Sequence, residues 1–152
     1  MAHLEWYDEL DTGIEVIDKQ HQRIVEYINQ LDDIVDHPDK TKLAGVLNEL
    51  VDYTLSHFTF EESLMEEANY PFIKAHKRVH LLFIQRINQY LKRFKAGEDI
   101  TVELLNTLKA WLINHIKSDD NDYAEIVRTN LHTIDSRHKD GWLARSLKKI
   151  FG

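Results

Sequence analysis

Apolar residues recur along the chain at intervals of three and four positions, which is the periodicity of amphipathic helices rather than of strands. The pattern predicts a first helix beginning near Asp18, a second ending near Glu66, a third running from Pro71 to Gly97 and a fourth beginning at Thr101. Asp18 and Thr101 are candidate N-caps, and proline is well suited to a first helical position. Only five glycines and two prolines interrupt this pattern.

Four long helices with short connections predict an all-α fold, an up-down-up-down four-helix bundle. The first seventeen residues form an N-terminal arm, and a short amphipathic helix is expected at the C-terminus. We therefore divide the chain into a bundle, residues 1–135, and a basic amphipathic tail, residues 136–152.

Composition narrows the classes of function. A length of 152 residues fits one domain. The absence of cysteine excludes disulfides, iron–sulfur clusters and thiolate zinc sites, so any metal must be held by nitrogen and oxygen. A net charge of -7 argues against nucleic acid as a partner. With no apolar run near 20 residues and no signal-like N-terminus, we expect a cytoplasmic protein.

Histidines are concentrated inside the predicted helices. Of nine in the chain, five fall there: His21, His57, His76, His80 and His115. They lie near the start of the first helix, the end of the second, the start of the third and the end of the fourth. In an up-down-up-down bundle these four places share one end of the molecule, so the sequence predicts that the histidines converge.

Spacing within the helices supports a ligand set. His57 with Glu61, and His76 with His80, are four residues apart and so lie one turn above each other on the same face. The fourth helix is less regular, because His115 is followed by acids at both four and five positions. Ideal geometry favours Asp119 over Asp120, unless the helix loosens there into a π-bulge, which often occurs at functional sites.

The number of donors suggests the kind of site. Five buried imidazoles without a common partner would be costly, whereas a metal satisfies one nitrogen of each. Five histidines and two carboxylates are too many for one tetrahedral zinc, and imidazole also suits iron, copper and nickel. Two metals bridged by carboxylates are the natural arrangement.

The order His21, His57-x-x-x-Glu61, His76-x-x-x-His80, His115-x-x-x-x-Asp120 resembles the signature of the hemerythrin family in its bacterial single-domain form. The resemblance covers about residues 6–123 and favours Asp120 over Asp119. It implies two iron ions, bridged by an oxo or hydroxo group and by Glu61 and Asp120. One iron would be held by His76, His80 and His115, and the other by His21 and His57.

The resemblance also implies a function, reversible binding of dioxygen. The iron held by His21 and His57 would be five-coordinate and would bind oxygen as hydroperoxide. The family match further implies an apolar oxygen pocket lined by Ile24, Phe58, Trp111, Leu112 and Ile116. For Tyr123 a polar role beside the metals and simple packing remain open.

Two other classes of function remain as alternatives. Ferritin-like di-iron enzymes use mainly carboxylates in Glu-x-x-His arrangements, which the motif lacks. We therefore expect an oxygen carrier, store or sensor rather than an enzyme, although a di-iron enzyme acting on peroxide or nitric oxide is an alternative. The other alternative is a signalling module that passes oxygen or redox state to a partner.

The C-terminal tail supports the signalling alternative. Its sequence GWLARSLKKIFG places Leu143, Leu147, Ile150 and Phe151 on one helical stripe, with basic residues away from it. A helix of about ten residues is not stable alone in water, so it must contact something. It either folds back on the acidic bundle or docks, through residues 141–152, to a membrane surface or a protein. The protein itself is expected to be a monomer.

Overall fold

The structure, a computed structural model, describes residues 3–137 and 142–151, and within the helices it leaves undescribed the side chains of 118–121, 131–137 and 142–144. The described residues form helices and connecting loops only. In chain order these are a 3₁₀ turn Asp8–Leu10, α1 Glu15–Asp36, α2 Lys40–Glu67, α3 Ile73–Lys95, α4 Thr101–Asn114, a π-helical segment His115–Asp120, α5 Asn121–Arg137 and α6 Trp142–Phe151. The predicted all-α bundle is confirmed.

The start of α1 differs from the prediction. Asp18 is not an N-cap but lies inside the helix, where its carboxylate accepts hydrogen bonds from the backbone N–H and hydroxyl of Thr12, both at 2.8 Å, and from Gly13 N–H at 3.2 Å. Gly13 has φ +82°, a conformation that glycine adopts without strain. Asp18 therefore fixes the end of the N-terminal arm onto the first turn of α1.

The ends of the other helices are set by capping hydrogen bonds and by glycine. Asp39 caps α2 by accepting from the N–H groups of Thr41 and Lys42, at 3.0 and 3.1 Å. α3 begins two residues after Pro71 and is followed by Gly97 at φ +92°. The predicted cap at Thr101 is wrong: this residue is the first of α4, and its N–H donates to the Asp99 carboxylate at 3.2 Å.

Buried side chains form two hydrophobic clusters. The larger fills the space between α1, α2, α3 and α4. The smaller joins the arm and the end of α2 to α5, with Phe60, Leu64, Met65 and Tyr123 at its centre.

The C-terminal helix α6 packs against α2 and α5. Leu147, Ile150 and Phe151 contact the smaller cluster. The ring of Phe151 lies 5.3 Å from that of Tyr53 and 6.0 Å from that of Phe60. Of the two arrangements considered for the tail, the structure shows the fold-back on the bundle, and a membrane or protein contact stays a prediction.

An ion pair joins α1 to α4 within the bundle. Lys109 donates to the Asp32 carboxylate at 2.9 Å, and the Asp32 side chain is fully buried whereas that of Lys109 is 21% exposed.

Among the helices of the described residues, none is both long and apolar enough to cross a membrane.

Candidate metal centre

Glu61 lies at the centre of one end of the bundle, with its side chain fully buried. It points inward from α2, while its neighbour Glu62 is 26% exposed and faces His80 Nδ1 at 3.7 Å. Of these two adjacent carboxylates, the structure therefore brings Glu61 into the predicted cluster.

The five predicted histidines surround Glu61 in two groups. Carboxylate oxygen Oε1 faces three Nε2 atoms, those of His76 at 2.8 Å, His80 at 2.9 Å and His115 at 3.6 Å. Oxygen Oε2 faces the other two, those of His57 at 3.2 Å and His21 at 4.0 Å. All five present the same ring nitrogen to one carboxylate, and they divide between its two oxygens.

The helices explain this convergence. His57 and Glu61, like His76 and His80, are separated by one turn, so each pair points into the bundle from a single helix face. α1 and the segment after α4 supply His21 and His115 from the opposite side. At most 5% of any of these six residues is exposed, so water does not satisfy their polar atoms.

The last predicted ligand lies in the π-helical segment His115–Asp120. A π-helix closes its hydrogen bonds five residues apart rather than four. This brings position 120 closer to the face of His115 than an α-helix would, and so removes the geometric preference for Asp119. The side chains of both aspartates lie outside the described residues, so the assignment of Asp120 stays a prediction.

Electrostatics keep the central carboxylate ionised. Burial alone would raise the pKa of Glu61, but the charge of His57 and a hydrogen bond from His115 outweigh burial and hold this pKa well below its usual range. The carboxylate is thus available as a ligand throughout the neutral and mildly acidic range.

Two polar side chains hold the ligands in place. Tyr123 is fully buried and its hydroxyl donates to Glu61 Oε2 at 2.9 Å, so the polar role left open by the sequence is the one observed. Gln20 Oε1 accepts from His57 Nδ1–H at 2.7 Å, which directs Nε2 of that ring toward Glu61. Sequence reasoning missed Gln20, because its partner is 37 residues away and no local spacing links them.

Of the five apolar residues predicted for the oxygen pocket, Phe58 and Trp111 have rings stacked on imidazoles, and the pocket itself stays a prediction. Phe58 stacks on His80 with ring centroids 3.8 Å apart, and Trp111 stacks on His115 at 4.7 Å. Ile24, Leu112 and Ile116 are at most 1% exposed and belong to the larger cluster. Phe83, which the sequence reading placed only in the helix core, stacks on Trp111 at 3.7 Å and holds it against the imidazoles.

The donor set fits metal ions. Imidazole nitrogens and carboxylate oxygens are the ligands of borderline transition metals, and a single carboxylate cannot balance five buried imidazoles. Two groups have donor atoms within 4.8 Å of one another: His21, His57, Glu61 and His115, and Glu61, His76, His80 and His115. Both groups contain Glu61 and His115, but an imidazole Nε2 has one lone pair and binds one ion, so the geometry fits two ions that share the Glu61 carboxylate.

Comparison with known proteins agrees with this geometry. The family model described as the hemerythrin HHE cation binding domain matches residues 12–127, which include every predicted ligand. The chain therefore belongs to the hemerythrin family, as the ligand spacing indicated.

Its relatives include full-length bacterial proteins. Bacteriohemerythrin of Pseudomonas aeruginosa is 52% identical over 153 residues, covering 100% of both chains, and that of Stenotrophomonas maltophilia is 51% identical with the same coverage. A crystal structure of wild-type hemerythrin superposes with a TM-score of 0.79 at 28% identity, covering 83% of this chain and 98% of that one.

Proposed function

We propose that the protein binds dioxygen reversibly at a pair of iron ions, as an oxygen carrier, store or sensor. The observation that carries the proposal is the division of five imidazoles between the two oxygens of Glu61. The proposed ligands are His76, His80 and His115 for one ion, His21 and His57 for the other, and Glu61 with Asp120 as bridges between them.

The unequal division of the imidazoles supports the function. Three lie on the Oε1 side of Glu61 and two on the Oε2 side, so room for an additional ligand is expected beside His21 and His57. When bound, the iron pair would supply the two electrons that reduce dioxygen reversibly. Membership of the hemerythrin family, whose resemblance implies iron, supports iron as the metal.

The chain's own residues then favour release of oxygen unchanged. The buried side chains of Ile24, Phe58, Leu112 and Ile116, with the partly buried Trp111, would exclude water and so keep away the protons that would release peroxide. Tyr123 keeps Glu61 oriented through its hydroxyl. An imidazole-rich ligand set donates less charge than the carboxylate-rich set of di-iron enzymes, so we infer binding rather than turnover.

One observation favours the sensor among these roles. Phe60 directly precedes Glu61 in α2, and its ring contacts that of Phe151 in α6 at 6.0 Å. A change at the metal centre that moves α2 would thus reach the C-terminal helix. The proposal includes three further predictions: the tail docks to a partner or a membrane surface, the chain divides at residue 135, and the protein is a monomer.

The ligand assignment is tested by iron content. Asp120→Ala should lower bound iron below two per chain and abolish the oxygen-dependent absorption. Asp119→Ala is the matched control, because it removes the same group one position earlier and should leave both unchanged. The reverse result would transfer the bridge to Asp119, and two irons in both variants would contradict a second carboxylate bridge.

A further inference from the structure

The N-terminal arm lies back along the first half of α1 and is held at both ends. Near its start the backbone of Leu4 exchanges two hydrogen bonds with the side chain of Asn29, at 2.8 and 3.1 Å. Near its end the carbonyl of Thr12 accepts from the Arg128 guanidinium at 2.6 Å. Residues 5–11 therefore join two points that are fixed on the bundle.

The middle of the arm lies over two elements that supply predicted metal ligands. The ring of Trp6 faces that of His21 in α1, with centroids 6.4 Å apart and planes inclined by 30°. The next residue, Tyr7, has its ring 5.3 Å from Lys117 Nζ in the π-helical segment, and the 3₁₀ turn also contacts that segment. The arm thus crosses the boundary between α1 and the π-helical segment, which supply His21 and His115.

Trp6 is held in one position by both of its chemical faces. Its indole N–H donates to the Asp11 carboxylate at 2.8 Å, across the 3₁₀ turn. Its apolar ring is partly buried against the larger hydrophobic cluster. Because a tryptophan that has a partner for its N–H and a packed ring has little freedom, the ring keeps its orientation toward His21.

The burial of His21 depends on its neighbours outside α1. Its side chain is fully buried. Its ring contacts within the described part of the chain are to His57, His115 and Trp6, at 4.7, 6.2 and 6.4 Å between centroids. Two of these neighbours are themselves candidate ligands, so Trp6 is the aromatic neighbour that can shield His21 without binding the metal.

We propose that Trp6 is a positioning residue of the metal centre, which orients His21 and shields it from water, and that the N-terminal arm holds it in place. The importance of this ligand rests on the proposed function, since the iron held by His21 and His57 is the one expected to bind oxygen. Protons compete with a metal ion for imidazole nitrogen, so shielding of His21 slows loss of the ion. It also keeps water from the position beside that iron.

The arm can open without unfolding the bundle. Leu10 is fully buried, so the segment free to move is the part before it, which is attached to α1 by the two hydrogen bonds between Leu4 and Asn29. Segments with few buried contacts open locally far more often than a core unfolds. The rate at which a reagent reaches His21 therefore measures opening of the arm.

The test measures this rate in two ways. The metal-free full-length protein is treated with diethyl pyrocarbonate, and mass spectrometry follows modification of each histidine. The iron-loaded protein is mixed anaerobically with a ferrous chelator, and absorption follows release of iron. The variants are Trp6→Ala, Trp6→Phe and Asn29→Ala. The matched control is Tyr7→Ala, which truncates the neighbouring ring of the arm, the one that faces Lys117 rather than His21.

We expect Trp6→Ala to raise both the modification of His21 and the release of the first iron by at least about tenfold, because neither then requires opening of the arm. Trp6→Phe keeps an apolar ring and should stay within about threefold of the parent protein. Asn29→Ala should raise both rates by at least about fivefold, although it lies about 12 Å along α1 from His21, because two hydrogen bonds of the arm are lost. Tyr7→Ala should leave both rates unchanged, and His80 in α3 should react at the same rate in every variant.

Equal reactivity of His21 in Trp6→Ala and Tyr7→Ala would overturn the proposal, and so would continued protection of His21 in Asn29→Ala. Faster reaction of His80 together with His21 would also contradict it, because the whole end of the bundle would then be loosened. Asn29→Ala keeps Trp6 in the chain, so it decides the question even where Trp6→Ala does not fold. Modification of the metal-free protein does not depend on iron or oxygen, whereas the oxygen spectrum tests the proposed function, so the two failures are distinguishable.

Discussion

The hydrogen bond from Tyr123 to Glu61 offers a sharp test of the metal centre. Tyr123→Phe removes one oxygen atom and leaves the buried ring in place, so packing of the smaller cluster is retained. The lost bond, 2.9 Å long, is made to a carboxylate, and such bonds contribute about 1.5–3 kcal/mol. Loss of groups that orient metal ligands lowers metal affinity about 10- to 100-fold, which agrees with that energy.

The assay is anaerobic competition for ferrous iron between the protein and a chromophoric chelator. Tyr90→Phe is the matched control, because it removes the same atom from a hydrogen bond of 2.9 Å to Thr107, in which neither partner is a candidate ligand. We expect the control to lose stability slightly and to keep its iron affinity. A decrease of less than about threefold for Tyr123→Phe, or an equal decrease for both variants, would refute the inference that Tyr123 orients Glu61.

Three further predictions concern stability and pH. Asp32→Ala should lower the free energy of unfolding in urea by about 3 kcal/mol, because it removes the fully buried carboxylate that accepts from Lys109, whereas a cost below about 1 kcal/mol would show that this ion pair behaves as a surface pair. Phe151→Ala should cost about 1–3 kcal/mol through the lost ring contacts with Tyr53 and Phe60, and an unchanged melting temperature would contradict the position of α6. Acidification from pH 7.5 to 5 should release iron, since protons compete for imidazole nitrogen. Because the pKa of Glu61 is lowered, its carboxylate stays ionised between pH 7.5 and 5, and its contribution to folding stability is lost only below the usual carboxyl range. Iron retained at pH 5 would contradict an imidazole-rich site.

Much of the fold could be predicted because helical periodicity is visible in the sequence. Four long helices with short connections then imply which helix ends meet at one end of the bundle. The end of α3 before Gly97 followed from local chemistry. The starts of α1 and α4 did not, because Asp18 and Thr101 make their contacts with the loops that precede them rather than with a free helix end. A cap residue is identified by type, but its partner depends on how the loop folds.

The centre of the site was predictable from spacing, while its surroundings were not. His57 with Glu61 and His76 with His80 depend only on one helical turn. Gln20 reaches His57 across two helices, so only the folded chain reveals that hydrogen bond. The π-helical segment shows the limit most clearly, since ideal geometry favoured Asp119 and the sequence offered a π-bulge only as an alternative, whereas the structure shows that it forms.

The central claim, reversible oxygen binding by two irons, is tested most directly by visible absorption. Anaerobically reduced protein of known iron content is measured before oxygen, after oxygen and again after a sweep with inert gas. The account predicts two irons per chain and a colour that appears with oxygen and disappears on its removal over repeated cycles. Irreversible conversion to a ferric form with release of peroxide, or fewer than two irons per chain, would contradict it.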